Sequence, residues 1–258
     1  MEPVAVSEEG QVATIRMHDP ARRNALGPAM LDGLCAAFDS FQGRDVRAVV
    51  LRAGPEDPVW CAGFDITELR PSADPLAHDG PLQALFRRVR DCPAPVIAML
   101  RGSAWGGGAD LALRCDLAVG DPGCSLAFTP ARLGLPYDAD GLLNVLLRAG
   151  RAAAIEMFAT AAPVPAERAL QLGLLNHLVP AAGLEAFTAE LAARIAANAP
   201  LSVASAKQQL RTLAEALPLA PAVAHALAAG RRRALESDDY AEGLAAFAER
   251  RAPRFRGA

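Results

Sequence analysis

Three consecutive glycines, Gly106, Gly107 and Gly108, precede Asp110 within RGSAWGGGADLALRCDLAV (Arg101 to Val119), at the head of an apolar run with helical spacing. Glycine inside a helix costs about 1 kcal/mol relative to alanine, so a triple glycine at a helix start implies close backbone approach to something. The amides of such a start can hold an anion, or an oxygen that becomes negative during a reaction. Tight helix packing is the other use of such a patch. Three familiar glycine chemistries are excluded by inspection: a dinucleotide fingerprint from Gly106 needs glycine at Leu111, a phosphate loop from Gly102 needs lysine at Gly108, and GxSxG is absent. A second turn with exposed amides lies in WCAGFDITEL, where Ala62 and Gly63 follow a strand-like run ending at Leu51 and precede a short helix near Ile66 to Leu69.

An α/β framework must hold these turns. Val12 to Met17 and Arg47 to Leu51 read as strands, Pro28 to Phe41 as a helix, Pro71 to Pro81 as a loop, Leu82 to Asp91 as a helix and PVIAML as a strand. CDLAV and CSLAF form two more short strands around a turn at Asp121 to Gly123. Beyond Gly141 the pattern is helical, closing with a helix to about Arg250 that Ser237 caps ahead of Asp238 and Asp239. Asp138 and Asp140 both precede the helix from about Gly141, and Asp140 is the better placed cap. The division expected is a core over 1–198 and a helical region over 199–258.

Composition narrows the function. With 258 residues, 52% hydrophobic, 21% charged and a net charge of −3, the chain has the balance of a soluble protein with a large core. Five cysteines without a CxxC pair or a secretory signal suit a reducing cytoplasm. Four scattered histidines form no ligand motif, so no metal is expected. Aromatics at 5% and a single basic run, Arg231 to Arg233, read as a solvated helix face rather than a nucleic-acid surface. Charges and prolines interrupt every hydrophobic stretch before the ~20 residues a bilayer needs, so no membrane partner is expected.

CAGFDITEL, GSAWGGGADLALRCDLAV, FTPARLGLPYD and AERALQLGLLNHLV, in this order, resemble the enoyl-CoA hydratase/isomerase, or crotonase, superfamily, and the resemblance runs from RRNAL to FAERRAPRF. It implies a spiral of ββα units, a helical C-terminal region that trimerises into a homotrimer or a dimer of trimers, and an acyl-CoA substrate with no separate cofactor. It also implies an oxyanion hole, assigned by position to the amides of Ala62 and Gly107, with Gly106 beside them.

The family's hydratases use two glutamates; the matching positions here hold Asp110 and Pro130, and proline offers neither acid nor base. LPYD and the C-terminal segments look more like the family's decarboxylases of malonyl-type thioesters such as methylmalonyl-CoA. That resemblance puts Tyr137 against the substrate carboxylate or acyl pocket and Thr129 near it, with Phe64 and Trp105 as a further apolar wall or plain core. Those decarboxylases carry histidine at the position of Phe64 and asparagine at that of Asp138. Several isomerases of the superfamily instead carry a basic aspartate where Asp138 stands, which leaves a proton shuttle through Asp110 and Asp138 as the alternative, and a silent acyl-CoA binder as a third. For the CoA moiety the resemblance points to Arg22, Arg23, Asp65 and Ile66; Arg250, Arg251 or Arg254, from the same or a neighbouring subunit, are further candidates for the phosphates.

Overall fold

The computed structural model describes residues 2–66, 79–215 and 221–257. The chain opens with an antiparallel hairpin, β1 (Val4–Glu9) and β2 (Val12–Met17), followed by α1 (Pro28–Asp39). Proline at the first position of α1 suits a residue whose N–H would have no helical partner. Met30, Leu31, Leu34, Ala37 and Phe38 form its buried stripe.

A unit of two strands and a helix then recurs. β3 (Ala48–Ala53) and β4 (Val59–Cys61) lead to α2 (Asp79–Asp91); β5 (Val96–Leu100) and β6 (Ser103–Trp105) lead to α3 (Gly107–Arg114); β7 (Leu117–Gly120) and β8 (Ser125–Ala127) lead to α4 (Ala139–Thr160). The first strand of each unit joins a sheet ordered β1-β2-β3-β5-β7-β10, and the second joins a smaller sheet ordered β4-β6-β8-β9, where β9 is Val164–Pro165 and β10 is His177–Leu178. All pairings are parallel except β1 with β2 and β8 with β9. This is the expected spiral of ββα units. Every residue of β5 is buried, as a central parallel strand requires, and Trp60, Phe86 and Phe128 fill the core between sheets and helices.

α5 (Ala166–Gln171) lies between β9 and β10, and α6 (Leu184–Ala196), α7 (Pro200–Glu215), α8 (Pro221–Leu235) and α9 (Asp238–Ala248) complete the chain. Ser237 caps α9 through its hydroxyl and the Tyr240 N–H, as its sequence position predicts. Two expectations change. β9 and β10 interrupt the all-helical reading after Gly141, because two-residue strands are too short to show a period. α4 is capped by Asp138, not Asp140: Asp138 has extended backbone and accepts the Gly141 N–H at 2.9 Å, while Asp140 lies in the first turn. Residues 71–78 of the expected loop, and the end of the helix expected near Ile66 to Leu69, lie outside the described residues, and 79–81 belong to α2.

The small sheet positions the site. Because β4, β6 and β8 run parallel, their carboxyl ends open on one side, and the segments leaving them, Ala62 to Ile66, Gly106 to Gly107 and Thr129 to Asp138, converge there.

Candidate active site

The loop after β4 is stitched to the segment before α1. Asn24, fully buried, donates from Nδ2 to Asp57 Oδ2 and to the carbonyls of Val59 and Trp60. The Cys61 thiol donates to the Asn24 carbonyl at 3.0 Å, and burial pushes that thiol's pKa up to about 12, so it remains a neutral donor. Leu26 N–H donates to Gly63 O at 2.7 Å, and Leu26 and Phe64 form a parallel bridge.

This stitching decides which amide faces the cleft. The Ala62 N–H donates to the Arg23 carbonyl at 3.0 Å, so the assignment of Ala62 to the oxyanion hole is corrected. In this bridge Leu26 bonds through its own N–H and carbonyl to the residues on either side of Phe64, Gly63 and Asp65, so the N–H of Phe64 itself points away from Leu26. The Phe64 amide therefore turns from Leu26 toward α3, where a Cβ built on Gly107 would stand 3.5 Å from the Phe64 nitrogen. The pair presented to the cleft is Phe64 and Gly107, the latter being the first residue of α3.

Each glycine here has its own reason. Gly106 holds φ 49 and ψ −118, a conformation closed to residues with a Cβ. Gly107 borders the cleft. Gly108 lies against β4, where an added Cβ would be 2.6 Å from Cys61 Sγ. At Gly63, φ is +91 and a Cβ would meet the Trp105 carbonyl at 2.5 Å, so both turns touch through backbone alone.

The cleft has a volume of about 110 Å³. Thr129, Pro130, Tyr137 and Asp138 form the wall opposite the amides. Tyr137 is wedged among Phe128 and Phe158, ring centroids 5.7 and 5.0 Å away, and its hydroxyl donates to the Gly106 carbonyl at 3.4 Å. Burial, followed by the charges of Asp110 and Asp138, holds its pKa well above the usual tyrosine value, so it stays a neutral phenol. Asp110 does not line the cleft. It is 1% exposed, in the first turn of α3, and accepts from Arg114 Nε at 3.1 Å and Asn144 Nδ2 at 3.3 Å. Burial raises its pKa, and Arg114, which stacks over Phe86 at 4.7 Å, opposes that rise. The expectation of Asp110 as a group in contact with substrate is thus revised: its carboxylate is engaged by Arg114 and Asn144, and its charge helps to keep the Tyr137 phenol protonated.

Phe64 and Ile66 line the cleft, whereas Trp105 does not: its indole N–H is bonded to Ser103 Oγ at 2.8 Å and its carbonyl packs on Gly63. Arg22 and Arg23 are exposed beside this loop; the Asp65 carboxylate and the Arg22 guanidinium come within 3.3 and 3.8 Å of the point where a Gly27 Cβ would stand. Arg251 is engaged by Glu242 and Glu249. Arg231, read from sequence as part of a solvated run, enters the cleft from α8 while Arg232 and Arg233 are exposed. No sequence signal separates it from its neighbours. Among the described residues no group of three or more His, Cys, Asp or Glu is placed to hold a metal, and no helix is long and apolar enough to cross a membrane.

A two-sheet spiral whose parallel strand ends bring two backbone amides opposite a tyrosine-lined pocket defines the class. Residues 7–258 match the enoyl-CoA hydratase/isomerase family, and the chain belongs to it. It is 37% identical over 249 residues to the methylmalonyl-CoA decarboxylase of Escherichia coli (strain K12), spanning 96% of this chain and 95% of that protein. It is 36% identical over 261 residues to a putative enoyl-CoA hydratase of Thermus thermophilus, spanning 96% and 98%. A crystal structure of methylmalonyl-CoA decarboxylase complexed with 2S-carboxypropyl CoA matches at TM-score 0.96 and 36% identity, over 100% of this chain and 99% of that one.

Proposed function

We propose that this chain binds an acyl-CoA thioester and decarboxylates a malonyl-type ester, methylmalonyl-CoA or a close analogue. The observation that carries the reading is an amide pair, Phe64 and Gly107, facing a neutral tyrosine in a cleft whose one carboxylate among the described lining residues, Asp138, is engaged as the cap of α4. Asp138 caps α4, Asp110 is tied to Arg114, and Pro130 occupies the position of a hydratase glutamate. Loss of carbon dioxide needs no base for bond breaking. The bond between Cα and the carboxylate carbon breaks, its electron pair moves into the thioester enolate, and neutral carbon dioxide leaves. A proton taken up from solvent at Cα then gives the shortened acyl thioester.

The amides stabilise the enolate oxygen, and loss of one such donor costs about 2.7–4 kcal/mol in other enzymes. The aromatic group around Tyr137 solvates the carboxylate poorly, which favours its departure, and the phenol orients it across the thioester plane. The identity to the E. coli decarboxylase supports the same reading. Exposed Arg22 and Arg23 suit the phosphates of CoA, with Asp65 and Ile66 beside the nucleotide and pantetheine. Exposed leucines on α4 and α7, among them Leu147, Leu210 and Leu213, suit a trimer or dimer of trimers, which sedimentation would report by mass and a monomer would overturn.

Asp138 in the cleft wall favours a second reading, hydration or double-bond migration of an enoyl-CoA. The test is turnover of methylmalonyl-CoA, malonyl-CoA, crotonyl-CoA and a 3-enoyl-CoA followed by NMR and mass spectrometry. Propionyl-CoA or acetyl-CoA with carbon dioxide is the expected result. A hydrated or double-bond-shifted product without decarboxylation supports the second reading, and no turnover of any of them supports a silent binder.

A further inference from the structure

We propose that Asp57 is a positioning residue for the acyl-CoA site: its buried side chain fixes the Asn24 carboxamide, and through it the turn after β4 that borders the thioester oxygen. The inference rests on the acyl-CoA reading above. Asp57 precedes β4, is 4% exposed and does not line the cleft. Three nitrogens close on its Oδ2: the Gly54 N–H donates at 3.0 Å, Asn24 Nδ2 donates at 3.3 Å, and His18 Nδ1 lies 3.2 Å away. Glycine at 54 permits this, since an added Cβ would stand 2.7 Å from that oxygen and 2.8 Å from His18 Nδ1.

Asp57 grips a strained segment. Arg23 and Asn24 hold φ of 53 and 54, two successive residues in the left-handed region that side chains with a Cβ seldom adopt. Such backbone persists where its surroundings over-determine it. Here the Asn24 side chain does so: Oδ1 accepts the Asp19 N–H at 2.7 Å, while Nδ2 reaches Asp57 and the carbonyls of Val59 and Trp60. With a donor at one end and acceptors at the other, one orientation of the carboxamide is satisfied. The segment so held sets the turn beyond β4 residue by residue. The Asn24 carbonyl accepts the Cys61 thiol, the Arg23 carbonyl accepts the Ala62 N–H, and Leu26 bonds to Gly63 and Asp65. Gly63 then packs on the Trp105 carbonyl, beside Gly106, so the spacing of the two glycine turns follows from the register fixed at Asn24. A buried ion pair contributes little net stability once desolvation is counted, so the effect of Asp57 is on geometry.

The signature is polarisation of the carbonyl that the two turns enclose. In infrared difference spectra of propionyl-CoA carrying carbon-13 at the thioester carbonyl, the parent should move the C=O band below its position in free solution. Asp57→Ala should lose about half of that shift or more, and Asp57→Asn, which keeps an oxygen for Gly54 and Asn24, should recover most of it. Affinity for 2-carboxypropyl-CoA, a thioether with no carbonyl for the turns to hold, should stay within about twofold of the parent in both variants. For methylmalonyl-CoA, kcat of Asp57→Ala should fall about tenfold with KM within about threefold.

A full carbonyl shift in Asp57→Ala, even with a lowered Tm, would confine Asp57 to stability and overturn the proposal. A loss of affinity for 2-carboxypropyl-CoA as large as that for propionyl-CoA would overturn it too, by assigning Asp57 to the CoA moiety. No band shift in the parent would sink the oxyanion site itself, and this inference with it. The band is read without turnover, so a parent that polarises the carbonyl but does not decarboxylate loses only the reaction assigned above. Where Asp57→Ala is not folded by circular dichroism, Asn24→Gly, which tolerates the left-handed backbone and deletes the carboxamide, is read in its place with the same outcomes.

Discussion

The two walls of the cleft are made of different material. The first, from Cys61 to Phe64 and from Gly106 to Gly108, is backbone: glycines allow two loops to touch, and buried Asn24 ties one of them to the segment before α1. The second, from Thr129 to Asp138 together with Arg231 of α8, is side chain, supported by the Phe158 ring of α4 and the Asp110–Arg114 ion pair of α3. A backbone wall can stabilise an oxygen on any acyl thioester, so it defines the class of chemistry. A side-chain wall can change residue by residue without moving the amides, so it chooses the reaction.

The largest effect should come from the support behind the second wall. Asp110→Ala leaves the mostly buried Arg114 guanidinium unpaired, and stability should fall by about 3 kcal/mol in denaturant titrations. A loss within the error of the titration would show that Arg114 reaches solvent without Asp110.

The first wall divides sharply at adjacent residues. Gly107→Ala adds a methyl 3.3 Å from the flexible end of Leu82 and 3.5 Å from the Phe64 nitrogen, so the protein should keep its Tm while kcat falls about 100-fold, because the space between the amides is filled. Gly108→Ala does the opposite: its methyl meets Cys61 Sγ at 2.6 Å, stability drops by about 1–3 kcal/mol, and activity per folded molecule persists. If the two variants exchanged phenotypes, the amide pair would be misassigned.

On the second wall, Tyr137→Phe should reduce decarboxylation about tenfold, the weight of one hydrogen bond to a charged group, with the aromatic packing intact. Unchanged kcat and KM would confine Tyr137 to packing. The smallest change is expected for Asp138→Asn, which retains a capping side chain: turnover of methylmalonyl-CoA should stay within about threefold, whereas a loss of 100-fold or more would identify Asp138 as a base.

The first wall was largely legible. A run of glycines at a helix start, and a second turn at Ala62 and Gly63, announced backbone chemistry, because glycine's conformational and steric meaning is local. The error of one amide, Ala62 for Phe64, has a physical origin. Which N–H faces the cleft depends on the bridge to Leu26 and on φ at Gly63, and neither leaves a trace in residue type. The second wall was read through resemblance at Thr129 and Tyr137, and the unassisted pattern misjudged three of its members. Asp110 is a buried ion-pair partner, Asp138 took the cap assigned to Asp140, and Arg231 was hidden in a run of three arginines. Trp105 belongs to neither wall, since Ser103 claims its N–H.

By itself, then, the sequence determined the alternation of strands and helices, the glycine turns, the absence of a hydratase glutamate at Pro130, and the family, because each is written in residue types over short spans. The tertiary structure decided which amides converge, which acid is occupied and which arginine enters the cleft. Those outcomes depend on where β4, β6, β8 and α8 end relative to one another, which brings residues more than 150 positions apart, such as Gly63 and Arg231, to the lining of one cleft.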